Sequence, residues 1–164
     1  MSQQTRDFVL RAATRDDVPD ILRLVRELAT YERAADEVVA TEADFLRDGF
    51  GPEPKFRVIV AELADKKVVG FAFWFFAYST WEGRPILYLE DLFVEPAHRK
   101  RGIGLALMKE LARIAVDSDC TRFHWAVLDW NLPAIEFYER LGARVLPEWR
   151  TVRLSGEALA KLAR

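Results

Sequence analysis

The sequence is poor in the features that mark membrane, extracellular or nucleic-acid-binding chains. It has a single cysteine, Cys120, in 164 residues, so no internal disulfide can form. No run approaches the ~18 consecutive apolar residues of a membrane helix. The opening MSQQTRD is polar and has no apolar core, which argues against a secretory signal. Charge is nearly balanced, 24 basic against 26 acidic residues for a net −2. No long-range basic field exists to draw in nucleic acid, and that partner is not expected. A membrane partner is not expected either, and a reducing cytoplasm is the predicted setting. There is no internal repeat, low-complexity tract or linker. The length then predicts one domain over residues 1–164.

The residues present read as alternating strands and helices. FVLRAA from Phe8 reads as a strand. Thr14 with Asp17 forms a capping-box pattern before Ile21, Leu22, Val25, Leu28 and Ala29 at helical spacing. That helix is predicted to end near Tyr31 and Glu32. A second box, Thr41 with Asp44, opens a short helix. Strands follow at 55–62, 68–78 and 86–94, the last two apolar enough to be central. A helix runs to about Asp117, then a strand over 122–129. WNLPAIEFYERLGA carries Asn131 at the cap, Pro133 in the first turn and Gly142 just past the end, the punctuation of a helix. ARVL (143–146) and WRTVRL (149–154) read as two terminal strands, and Ser155 opens a last helix. The order β-α-α-β-β-β-α-β-α-β-β, with short turns mid-chain and two helical crossovers, predicts an α/β fold. Its sheet is mixed, mostly antiparallel and flanked by helices on both faces.

HRKRGIGLALMKEL, residues 98–111, places Gly102 and Gly104 at the mouth of a helix. Amides at a helix start lack intrahelical partners and favour an anion, and glycine lets that backbone approach closely. An ordinary tight turn is the other reading of a bare G-x-G. The P-loop pattern G-x-x-x-x-G-K-[ST] is absent. The dinucleotide fingerprint fails too, because Leu107 stands where its third glycine belongs.

RKRGIG resembles the R-x-x-G-x-G/A motif of the GNAT acetyltransferase superfamily. LYLEDLFVEP resembles the strand that precedes that motif. ILRLVRELATYE, DGFG, YSTWEGR, LYLEDLFV and WNLPAIEFYERLGA are similar, in order, to its spermidine/spermine N-acetyltransferase branch, from about Phe8 to Trp149. The resemblance implies acetyl-CoA as cosubstrate, no metal, a small-molecule amine as acceptor and a homodimer. It implies that the backbone at Leu92, Phe93 and Val94 pairs with the pantetheine arm. Arg99, Lys100, Arg101, Gly102, Ile103, Gly104 and Leu105 would hold the pyrophosphate, mainly through amides. Asn131, Pro133 and Ala134 would contact the cofactor, and Tyr138 would contact it and act as general acid.

The acceptor side is implied at Tyr31, Glu32, Ser79, Thr80, Trp81, His124, Trp125 and Ala126, with Glu90 as base or ammonium anchor. In a regular strand Asp91 points to the face opposite Glu90 and reads as structural. Glu148 would match a further substrate carboxylate, in a segment shorter than in the resembled branch. Where spermidine enzymes carry Asp-Pro-Trp, this chain has Ser79, Thr80 and Trp81, a version similar to the thialysine N-ε-acetyltransferases. One anchor for a distant second cation is thereby lost. Thialysine or a short diamine is expected in place of a long polyamine. Nothing places a base beside Cys120, so direct attack in a ternary complex is expected over an acetyl-enzyme. A protein lysine as acceptor, or a non-catalytic CoA-binding module, are the alternatives.

Overall fold

The computed structural model describes residues 7–164. Its residues gather into two compact units, one ending at Ala126 and the other Val127–Arg164. The first contains a five-stranded sheet, β1 (Phe8–Ala12), β2 (Arg57–Leu63), β3 (Val68–Ser79), β4 (Arg84–Val94) and β5 (Arg122–His124), in spatial order β1-β2-β3-β4-β5. Neighbours pair antiparallel except β4 and β5, which are parallel. The parallel step follows from its connection, a crossover through α3 (Ile103–Asp117).

Both capping boxes form. The Asp17 carboxylate accepts from the Thr14 backbone N–H at 2.7 Å, closing a 3-10 turn at Arg15–Asp17 ahead of α1 (Val18–Tyr31). Thr41 and Asp44 cap α2 (Glu42–Gly49) reciprocally, at 2.9 and 3.3 Å. Arg11 clamps the buried carboxylates of Asp17 and Glu62 at 2.7 and 2.6 Å, tying β1 to β2 and to the entry of α1.

Cross-strand partners share a face. The rows Val60–Phe71–Phe93 and Val58–Phe73–Asp91 therefore lie on one side of the sheet. Ile21, Leu24 and Leu28 of α1 pack there in one buried cluster with Val58, Val60, Phe71 and Phe93. The row Ala61–Gly70–Val94 belongs to the other side. A Cβ at Gly70 would meet Ile103 of α3 at 3.5 Å and the Phe93 carbonyl at 3.0 Å, so glycine permits the close seat of α3. Helices thus cover both faces, as the sequence predicts.

Two expectations fail. β5 stops at His124, not Asp129. Residues 143–146 and 149–154 are not strands, and Val145, Trp149 and Val152 are exposed. Their apolar alternation fits a strand, but alternation supplies no partner, and a strand is only as stable as its pairing. The second unit contains α4 (Leu132–Arg140) and α5 (Gly156–Leu162).

Candidate active site

The site begins with an irregularity in β4. Phe73 pairs with Asp91 and Trp74 with Leu89, so Glu90 is an extra residue, a β-bulge. The bulge breaks the two-residue alternation. Asp91 joins the α1 face, beside Phe71, Phe73 and Phe93, while Leu89 stays on the other. The expectation for Asp91 rested on a regular strand, and the bulge at Glu90 interrupts that regularity. Glu90 is exposed and Asp91 half-buried. Burial, then Glu90, then Glu32 push the Asp91 carboxyl up to about 7. Glu32, which follows the last residue of α1, is itself raised by burial. Three carboxylates thus share one neighbourhood, and one of them is poised to hold or release a proton near neutrality.

β5 pairs with β4 only over Ile86–Tyr88. Among the described residues no strand flanks Glu90–Val94 on that side, so the backbone of Leu92, Phe93 and Val94 presents an open strand edge. The end of β4 is pinned. Buried Glu95 accepts from Arg23 of α1 and from Lys67, each at 2.7 Å, and His98 lies 3.6 Å away. Burial alone would raise the Glu95 carboxyl, but Lys67 and Arg23 together hold it below its usual range.

Beyond the pin lies the glycine turn. Gly102 caps α3 with φ +81° in the left-handed region, and Lys100 precedes it at φ +62°. A Cβ at Gly102 would meet nothing within 4 Å. No side chain caps α3 and no acid sits in its first turn, which holds Ile103, Gly104 and Leu105. This donor set fits a phosphate: amides and a left-handed glycine, with no side-chain cap competing for them among the described residues. Gly104 itself is helical. The cations differ. Arg101 is engaged with His98 at 2.8 Å and Asp7 at 3.1 Å. Arg99 donates Nε to the Val94 carbonyl at 3.0 Å and sets its guanidinium 5.1 Å from the Tyr31 ring and 5.4 Å from that of Phe93.

On the acceptor side Ser79 is buried. Its hydroxyl receives the Glu82 backbone N–H at 3.2 Å and Arg122 Nη2. Glu82 is taken by Arg122 at 3.0 Å and by the Thr121 hydroxyl. Ser79 therefore shapes the β3–β4 loop, while Thr80 and Trp81 project from it. Glu82, the one acid of that loop, is paired with Arg122 of β5. His124 is half-buried at the last paired position of β5, and burial, then Arg122, lower its pKa. Trp125 and Ala126 follow β5 directly. In the second unit Asn131 accepts the Ala134 N–H at 3.4 Å with Pro133 in the first turn, and Tyr138 lies one turn further along α4, its ring 5.3 Å from that of Phe137. Glu148 is exposed in irregular chain.

Residues 19–143 match the family model described as Acetyltransferase (GNAT) family. The chain belongs to the GNAT acetyltransferases. It is accordingly an acyltransferase. A thialysine N-epsilon-acetyltransferase of Sus scrofa is 43% identical over 94% of this chain and 96% of its own. A human spermidine/spermine N(1)-acetyltransferase-like protein 1 is 40% identical over 99% of this chain and 25% of its own. An integron cassette protein from the mobile metagenome of V. cholerae has a structure with TM-score 0.80 and 31% identity, covering 96% of this chain and 98% of that one.

For a GNAT chain, several interacting residues lay outside the sequence reading: the Asp91 environment, the Glu95 pin, the Arg99 seat between two rings and the Arg122–Ser79–Glu82 latch. The adjacent acids Glu90 and Asp91 inside an apolar strand were the one signal pointing there.

Proposed function

We propose that the chain acetylates the primary amine of a small cationic molecule, with thialysine or a short diamine favoured, by direct attack in a ternary complex. The observation that carries this reading is the open edge of β4 leading into the mouth of α3, which no side chain caps, with the carboxylates of Glu90 and Asp91 on β4 and of Glu32 at the end of α1. The similarity to a thialysine enzyme over nearly the whole length supports the acceptor class. So does a β3–β4 loop whose acid is already paired and offers no anchor to a distant ammonium.

Acetyl-CoA supplies an activated acyl group. The amide edge of Leu92–Val94 would hold its extended arm, and the amides of Gly102–Leu105 its pyrophosphate. Asn131, Pro133 and Ala134 belong to the same binding role. An alkylammonium has pKa about 10.4, so roughly one amine in a thousand is neutral near pH 7.4, a cost of about 4 kcal/mol. Glu90 anchors the ammonium and takes its proton through water. Tyr31, Glu32, Thr80, Trp81 and the residues after β5 surround the acceptor, with Ser79 acting through the loop. The amine nitrogen forms the new C–N bond, the C–S bond breaks, and Tyr138 gives a proton to the departing sulfur. The family match spans both compact units, which supports one functional domain. A homodimer in the cytoplasm completes the reading, and light scattering at micromolar concentration tests the dimer.

The deciding experiment is a panel of amines with acetyl-CoA, followed by release of free thiol. It includes thialysine, lysine, putrescine, spermidine and a basic peptide. Thialysine or putrescine should give the highest kcat/KM. Preference for the peptide would move the acceptor to protein lysines. No turnover with any amine would refute catalysis.

A further inference from the structure

Arg99 opens the glycine turn, yet its guanidinium stands over the ring of Tyr31, the last residue of α1, at 5.1 Å. Phe93 flanks it at 5.4 Å, and Nε is fixed to the Val94 carbonyl at 3.0 Å. No other hydrogen bond or ion pair holds this guanidinium among the described residues. Phe93 and the Val94 carbonyl belong to β4. The Tyr31 face is different, because Tyr31 adjoins Glu32, whose carboxylate would draw an alkylammonium to the same place.

We propose that Arg99 couples the two halves of the site, occupying the Tyr31 ring face in the free chain and yielding it to the amine when a phosphate anion draws the guanidinium away. This rests on the acetyl-donor reading above. One ring face cannot serve two cations at once, since each needs the same negative π surface and the two repel. A doubly charged pyrophosphate at the mouth of α3 is a stronger partner for a guanidinium than an aromatic ring, because the pairing adds charge-assisted hydrogen bonds. Donor binding therefore clears the acceptor's ring, and donor-first order follows. By reciprocity, whatever the Tyr31 contact contributes to the free chain is subtracted from donor affinity. Arg99 contacts the donor directly in this scheme, and Tyr31 is the positioning residue that acts on donor affinity through it.

The test is a double-mutant cycle on binding of free CoA, which cannot turn over, read by titration calorimetry. Removing the ring with Tyr31→Leu should tighten CoA binding about threefold to fivefold, the range of an exposed cation–π contact. Tyr31→Phe keeps the ring and should match the wild type. In an Arg99→Met background, where CoA binds more weakly, Tyr31→Leu should change nothing. Tyr31 is partly exposed at a helix end, and Tyr31→Gln provides a second ring-free variant. Equal or weaker CoA binding by both ring-free variants would overturn the coupling. So would tightening that survives Arg99→Met. Failure of the wild type to bind CoA at all would instead remove the donor reading.

Discussion

Asp91→Asn should stabilise the protein, and more so as pH rises. The carboxyl is pushed up to about 7 from its ordinary 3.8, first by burial and then by Glu90 and Glu32. In the unfolded chain it loses its proton near 3.8, whereas in the fold it keeps it until about 7. Below pH 3.8 both states are protonated and the group has no effect. Between 3.8 and 7 only the unfolded state ionises, so stability falls across that window and the loss is complete above it. Three pKa units correspond to about 4 kcal/mol. Asp91 is only half-buried, and solvent screening brings the expected gain from the amide to about 2 to 4 kcal/mol at pH 8. At pH 5 it should be about 1 kcal/mol. For a chain of this size each kcal/mol moves Tm by about 2–4 °C. Urea melts of both proteins at pH 5 and pH 8, followed by tryptophan fluorescence, measure the difference. A gain that is flat with pH, or a loss at pH 8, would refute burial as the cause. A stabilised variant that turns over more slowly would mark Asp91 as a functional residue kept at a cost in stability.

Other substitutions probe the remaining site. Tyr138→Phe should lower kcat far more than it weakens CoA binding, and equal losses would reduce the tyrosine to packing. Cys120 has its thiol raised, mainly by burial, which opposes a nucleophilic role. Cys120→Ala should keep turnover, and its loss in a folded variant would force an acetyl-enzyme mechanism. Gly102→Ala meets no steric neighbour, so its cost is backbone strain alone, about 1–2 kcal/mol by thermal melting. Unchanged stability would mean that the turn relaxes. Ser79→Ala deprives Arg122 of a buried acceptor and should cost about 1–3 kcal/mol. A loss below 0.5 kcal/mol, roughly, would show that the loop is held by Glu82 alone.

What could be read from the sequence was local chemistry. Thr14 with Asp17, Thr41 with Asp44, and Pro133 with Asn131 act on backbone groups a few residues away, and each forms as expected. Gly102 takes the left-handed conformation for which glycine is suited. What could not be read depends on partners distant in sequence. The terminal segments carry a strand's pattern without a neighbouring strand. The Glu90 bulge is a mismatch of register between β3 and β4, and neither strand shows it alone. Arg99 has a phosphate-binder's sequence position, yet its ring contacts come from residues 68 and 6 positions away, Tyr31 and Phe93. Ser79 sits in the substrate loop of the resembled branch, but its burial is decided by Arg122 on another strand.

The short pairing of β5 with β4 has a consequence for the chain's persistence. Past Tyr88 no described strand pairs with β4 on that side, and apart from the Val94 carbonyl held by Arg99 its outward amides and carbonyls lack the ladder that resists local opening. An extended, amide-bearing ligand seated there would act as a fifth-column extension of the sheet, binding the folded form and not the unfolded one. At a hundred times its Kd such a ligand adds about 2.7 kcal/mol to stability. The abundance of the donor would then set how long each copy survives proteolysis as well as how fast it works.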